Sequence, residues 1–208
     1  MGTSVVADMG GRDALLAAAR AELIDHGHAA ISLRAVARRA GVSHAAPKYH
    51  FGDRAGLLTA VATEGFQALT AALRTATSMA EPSLAAVGRG YTDFGLANPA
   101  LFDLMFRPSE LHTDDPSLTH AQREAIGVLS STVQPIAPTT PPDGSAAAGP
   151  PELALVSWAL AHGLVVLTRD GALQGASRAP TPQAAADLAR NLTDVYTDRI
   201  TAVDNHPR

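Results

Sequence analysis

The 208-residue chain contains no cysteine. A thiolate nucleophile, a redox pair, an iron–sulfur cluster and a cysteine-type zinc site are therefore all excluded, and disulfide logic says nothing about compartment. Aromatic residues make up only 4% of the chain, and alternation of β-branched residues is so scarce that no strand stands out. The longest strongly apolar run, 153–168, is broken by Ser157, His162 and Gly163, which argues against a membrane span. Residues 1–11 lack the basic and apolar regions of a secretory leader. These absences lead us to expect a cytoplasmic protein away from the membrane.

What is present is a globular composition, 46% apolar and 17% charged with a formal net charge of −4, enough for one or two packed domains. The charge is uneven. Residues 1–60 hold seven basic side chains (Arg12, Arg20, Arg34, Arg38, Arg39, Lys48, Arg54) against five acidic ones (Asp8, Asp13, Glu22, Asp25, Asp53), a balance of +2 that leaves −6 for the rest. A polyanion responds to the local patch and not to the sum, so this end can face phosphates; a solvated surface with ordinary fluctuation has the same balance.

Apolar residues recur at steps of three and four along nearly the whole chain, predicting an all-α fold. A first helix over 12–26 puts Leu15, Leu16, Ala19 and Leu23 on one face and stops at Gly27. Ser32 can cap a second helix over 33–40, with Leu33, Val36, Ala37 and Ala40 inside and Arg34, Arg38 and Arg39 outside. Ser43 can cap a two-turn third helix over 44–51, made irregular by Pro47 beyond its first position. Gly52-Asp53 then opens a long helix towards residue 79. Further helices are expected over 82–97, 99–106, 116–134, 152–172 and 182–203, where Pro82, Pro99, Pro116 and Pro182 mark starts. The segment 135–151 carries six of the fourteen prolines and reads as a mobile connection.

The stretch 32–51 has the parts of a helix-turn-helix: Ala37 as the small residue where two helices touch, Gly41 at the turn, and Val36, Ala40 and Val42 as the apolar lock. Its second helix would enter a major groove with His44, Ala45 and Ala46 at the base edges. A helical hairpin inside an ordinary core is the plainer alternative.

With these residues in view, 12–70 resembles the DNA-binding domain of the tetracycline-repressor (TetR) family of bacterial transcription regulators. The matching runs are Ser32-Leu33-Arg34-Ala35-Val36-Ala37, Ala40-Gly41-Val42-Ser43, Tyr49-His50-Phe51, and Arg54 before Leu57-Leu58. Most members place Tyr directly after the residue matching Pro47, whereas here Lys48 stands there and Tyr49 follows. The resemblance implies phosphate contacts from Ser32, Lys48, Tyr49, His50 and Arg54, with Lys48 or Tyr49 making the one the family draws from that position. Arg34 and Ser43 complete the expected DNA-binding set.

Further on, Trp158-Ala159-Leu160-Ala161-His162-Gly163 resembles the WHG-type C-terminal domain of a subset of the same family. The resemblance implies a helix-turn-helix domain over 10–70 and a larger helical ligand-binding and dimerisation domain over 71–206, acting as a homodimer on a pseudo-palindromic double-stranded operator and released by a small apolar or aromatic effector. Phe66, Tyr91, Phe94, Phe102, Met105 and Phe106 are the expected pocket lining, although an apolar stripe at helical spacing is as well explained by core. Trp158 and His162 lie one turn apart and join that set; core packing is the first reading for both.

No cofactor or metal site is expected and no enzymatic motif survives. Gly41-Val42-Ser43-His44-Ala45 lacks the final Gly and the preceding strand of a nucleophile elbow, and Gly88-Arg89-Gly90 lacks a third Gly and a strand. His26, His28, His112 and His120 lack metal-ligand spacing and read as solvated loop histidines. The alternative function is a helical small-molecule-binding or hydrolytic protein whose N-terminal helices are only structural.

Overall fold

The helical periodicity is realised, and among the described residues no strand forms. The computed structural model describes the backbone of residues 2–78, 83–133 and 150–204, with side chains within 11–78, 83–133 and 150–200. The α-helices are α1 (Gly2–His26), α2 (Leu33–Ala40), α3 (Ala46–Phe51), α4 (Arg54–Ser78), α5 (Leu84–Ala97), α6 (Pro99–Met105), α7 (Pro116–Val133), α8 (Glu152–Arg169), α9 (Ala172–Ser177) and α10 (Pro182–Asp204). Short 3-10 turns occur at His28–Ala30 and Pro108–Glu110. The expected proline-rich connection lies outside the described residues except for Pro150 and Pro151, which lead into α8.

Several boundaries differ from the sequence expectation for local reasons. α1 starts at Gly2, not near residue 12; a glycine inside a helix weakens it by about 1 kcal/mol relative to Ala but does not stop it. The apolar run from residue 152 is cut after Arg169, because Gly171 takes a left-handed conformation (φ 75°) and α9 begins anew. Ser83, not Pro82, caps α5, its hydroxyl accepting from the Ala86 N–H at 3.2 Å; Pro82 lies outside the described residues.

Packing divides the chain into two units. The first is the chain up to Gln67 together with Ala100–Gln122; the second is Ala68–Pro99 together with the chain from Arg123 onward. A boundary in sequence at residue 70 leaves 100–122 with the C-terminal helices, whereas their contacts group them with the N-terminal ones. The reason is a notch in α4: a Cβ on Gly65 would stand 2.7 Å from Met105 Sδ and 3.0 Å from Leu101 Cδ1. Periodicity shows that α6 has an apolar face but not which surface covers it.

The first unit closes over Leu15, Leu16, Leu23, Val36, Leu57, Leu58, Phe102 and Leu118, all buried. The second packs α5, α8 and α10 against one another around Val87, Tyr91, Leu164, Val165, Ala185 and Ala189. Gly88 lets α10 approach, since a Cβ there would meet Thr193 Cγ2 at 2.4 Å. Arg89–Asp194 (2.5 Å) and Arg190–Asp93 (2.6 Å) flank this contact. α8 is long and apolar enough to cross a membrane by length and composition; in this fold it lies against α5 and α10.

Candidate nucleic-acid interface

The first unit aims α3 through two glycine turns. At the end of α2, Gly41 (φ 67°) donates to the Arg38 carbonyl at 3.2 Å and Val42 to the Ala37 carbonyl at 3.1 Å, a Schellman closure in which only glycine fits without strain. Ser32 opens the same helix, its hydroxyl accepting from the Ala35 N–H at 3.2 Å. After α3, Gly52 adopts φ 77°, ψ −65° while the Asp53 N–H reaches the Phe51 carbonyl at 2.9 Å, a γ-turn that reverses the chain in three residues.

α3 itself is shorter than expected. It begins at Ala46, and its cap position is Ala45, which offers no side-chain bond. The Ser43 hydroxyl instead accepts from the Ala45 N–H at 3.2 Å, and its carbonyl from the Ala46 N–H at 3.0 Å, closing a turn ahead of the helix. Pro47 consequently sits in the first helical turn, where its missing N–H is harmless, and is buried. Spacing then sorts the side chains. His44, Ala45, Lys48 and Tyr49 are exposed, Tyr49 at 77%. Ala46 and His50 turn half inward, with the His50 ring between Tyr49 and Phe51 at centroid distances of 5.1 and 6.1 Å.

The cations divide in the same way. Arg20 pairs with Glu64, and Arg39 with Asp25 and with Glu22 (3.2 Å). Arg12 lies over the Phe51 ring at 5.4 Å. Arg54, expected at phosphates, is turned inward: it donates to the Ile31 carbonyl (2.9 Å), the His28 carbonyl (2.7 Å) and Glu110 (2.5 Å). Among the described residues Arg34, Arg38 and Lys48 are exposed and have no carboxylate partner. Unpaired cations can release counterions from a polyphosphate backbone at little internal cost, which paired ones cannot.

The expected effector lining does not assemble in one place. Phe66, Phe102 and Met105 are buried in the first unit, and Phe106 packs edge-on to Phe66 (5.5 Å) and tilted on Phe102 (4.9 Å), as core aromatics do. Tyr91, Phe94, Trp158 and His162 belong to the second unit. There Trp158 Nε1 donates to the Tyr91 hydroxyl at 3.0 Å, and that hydroxyl lies 3.0 Å from His162 Nδ1. With one O–H proton to give, Tyr91 makes Nδ1 an acceptor and assigns the ring proton to Nε2. Burial pushes the Tyr91 hydroxyl far above its ordinary pKa, offset in part by Trp158, and burial, then Arg169, lowers His162. An open groove of about 530 Å³ between α4 and α7 is lined by none of these residues. Its Thr77, Ser78, Ser131 and Thr132 hydroxyls each donate to a carbonyl of their own helix.

Residues 15–61 match the model of bacterial regulatory proteins of the tetR family, and residues 84–196 match the tetracyclin repressor-like C-terminal domain. The chain belongs to the tetR family. It is a DNA-binding transcriptional regulator. A protein of unknown function from Rhodococcus sp. RHA1 is 33% identical, with 88% of this chain and 94% of that one aligned at a TM-score of 0.68. The TetR family transcriptional regulator PfmR from Thermus thermophilus has the same fold at 20% identity, with 89% and 94% aligned and a TM-score of 0.56. No curated protein matches the chain.

Three features of this TetR-family regulator were not singled out in the sequence. Gly56 is required because a Cβ there would stand 2.0 Å from the Phe51 carbonyl oxygen; a glycine in the first turn of a helix was the available signal. Glu110 holds Arg54, and His112 Nε2 lies 3.0 Å from Asp53 Oδ1. His28 and His112 are thus engaged with carboxylates and are not solvated loop histidines: the His28 ring is mostly buried, 3.5 Å from Asp103.

Proposed function

We propose that this regulator is a cytoplasmic homodimeric repressor on a pseudo-palindromic operator, released by a small apolar or aromatic effector. The observation that carries the reading is the exposed face of His44, Ala45, Lys48 and Tyr49 beside the unpaired Arg34 and Arg38. His44 supplies a hydrogen bond and Ala45 a methyl contact to base edges, while Ser32, Arg34, Lys48 and Tyr49 hold phosphates. With Arg54 turned inward, its role is to position α4, and Ala46 and His50 support the reading face from its inner side.

The second copy meets α8 and α10. Leu155 (42%), Val156 (55%), Leu167 (46%) and Val195 (55%) are exposed there, and no charge interrupts α8 between Glu152 and Arg169. An apolar face of this kind is concealed by a two-fold interface, which sets two readers about one helical turn, roughly 34–36 Å, apart. For the effector, the support is Tyr91, Trp158 and His162, aromatic groups with a polar edge inside the second unit. The test is selection of duplexes from a random pool by the wild-type protein. The reading expects two inverted half-sites bound by a dimer, and a monomer holding a single half-site tightly contradicts it.

A further inference from the structure

The orientation of α3 depends on the six residues 51–56, and little within them resists bending: one γ-turn bond, and the Gly56 N–H donating to Asp53 Oδ1 at 2.8 Å. Two side chains from outside the helix-turn-helix grip this joint. Glu110 receives the Arg54 guanidinium, whose remaining contacts are the carbonyls of His28 and Ile31, so one side chain fastens the start of α4 to the connection between α1 and α2. His112 sits against Asp53, and its backbone N–H is fixed by the Thr59 hydroxyl at 2.9 Å. We propose that Glu110 and His112 are positioning residues for DNA reading, forming a latch on the α3–α4 joint whose grip tightens when the histidine is protonated. The proposal deepens the DNA-binding reading and rests on it.

The charges around the latch favour this sense. Asp53 faces His112, Glu110 faces Arg54 and His28, and Asp103 faces His28 and both donors of Arg107 (3.0 and 3.1 Å). Every histidine in the group therefore looks onto a carboxylate. Arg54 holds the Glu110 carboxyl below its ordinary range, and the Gly56 N–H together with His112 does the same for Asp53, so both carboxylates stay ionised as the histidines titrate. A neutral His112 donates one hydrogen bond; an imidazolium adds an ion pair, modest in size because both partners are about half exposed. A joint held in its binding geometry before DNA arrives loses less freedom on binding.

The sign of one substitution separates positioning from plain electrostatics. Glu110→Gln removes a negative charge from the DNA-reading unit, which by charge alone tightens binding to any duplex. A latch predicts the opposite: about tenfold weaker binding to the preferred sequence, because the Arg54 clamp loses its charged partner. The probe is a duplex selected by the wild-type protein from a random pool, compared with a random duplex of equal length at pH 6 and pH 8. His112→Ala is expected to weaken the selected duplex about two- to fivefold at pH 6 with the salt slope unchanged. His112→Gln, whose amide still reaches Asp53, should bind like wild type at pH 8 but lack part of the gain wild type shows on going to pH 6. Thermal melting of each variant shows that it is folded. Tighter binding by Glu110→Gln, or wild-type behaviour of His112→Ala at both pH values, overturns the latch while leaving DNA binding standing. A wild-type chain that selects no duplex overturns the reading beneath it, and the latch with it.

Discussion

In the DNA-reading unit, the turns that aim the helices are closed by near neighbours: Gly41 and Val42 bond to carbonyls three and five residues back, and Asp53 to Phe51. In the second unit the decisive polar contacts join distant residues, Tyr91 with Trp158 and His162, Arg89 with Asp194, and Arg190 with Asp93. The difference separates two kinds of failure. Damage to the first unit misdirects a helix that remains folded, whereas damage to the second strands buried polar atoms and lowers stability. Each can be provoked on its own.

The largest effect is expected from Gly56→Ala. Its methyl group would lie 2.0 Å from a backbone oxygen, so the α3–α4 joint must open. Overpacking of this kind costs about 1–3 kcal/mol, occasionally more. DNA binding should fall at least about tenfold while Trp158 emission, reporting the second unit, stays unchanged; normal DNA affinity would show that the joint does not aim α3. Next comes Tyr91→Phe, which leaves Trp158 Nε1 and His162 Nδ1 without the hydroxyl they share. An abandoned buried polar group costs about 1–3 kcal/mol. The urea midpoint should drop accordingly, with affinity per folded dimer preserved; an unchanged midpoint would mean water replaces the hydroxyl.

These two positions show what could be read in advance. The inner faces of α1 and α2, the Ser32 cap and the Gly41 turn depend on residues within one or two helical turns and were legible. Arg54 was not, because its partner Glu110 is 56 positions away, and a sequence cannot distinguish an arginine held by a distant carboxylate from one awaiting a phosphate. The placement of α6 escaped for the same reason: Gly65 and Met105 meet only in the fold. On α3 the miss was local. Ser43 followed by Pro47 is compatible with a cap at Ser43 or with a turn before Ala46, and Ser43 bonding Ala45 settles it as the turn.

Smaller effects sharpen the comparison further. Burial lowers the His162 pKa from its ordinary value of 6.5, so the unfolded chain binds the proton more readily. This contribution to stability is present above about pH 6.5 and is lost as pH falls through the folded value. Equilibrium unfolding at a series of pH values should show that slope, accompanied by Trp158 quenching as the ring 5.9 Å away becomes charged; His162→Asn should abolish both. A slope of the opposite sign would mean that the folded state stabilises the imidazolium. The smallest change is expected for Ser43→Ala: it removes a turn bond and no helix cap, so unfolding should shift by only a few tenths of a kcal/mol. A loss near 1 kcal/mol would restore Ser43 as the cap.

The central claim is that the unpaired cations on α2 and α3 meet the phosphates. It is tested most directly by the salt dependence of binding to a selected duplex, measured for the wild type and for the combined Arg34→Ala, Arg38→Ala and Lys48→Ala variant. Three lost phosphate contacts should make the slope of log affinity against log salt shallower by about 2.7. An unchanged slope in a folded variant would contradict the claim.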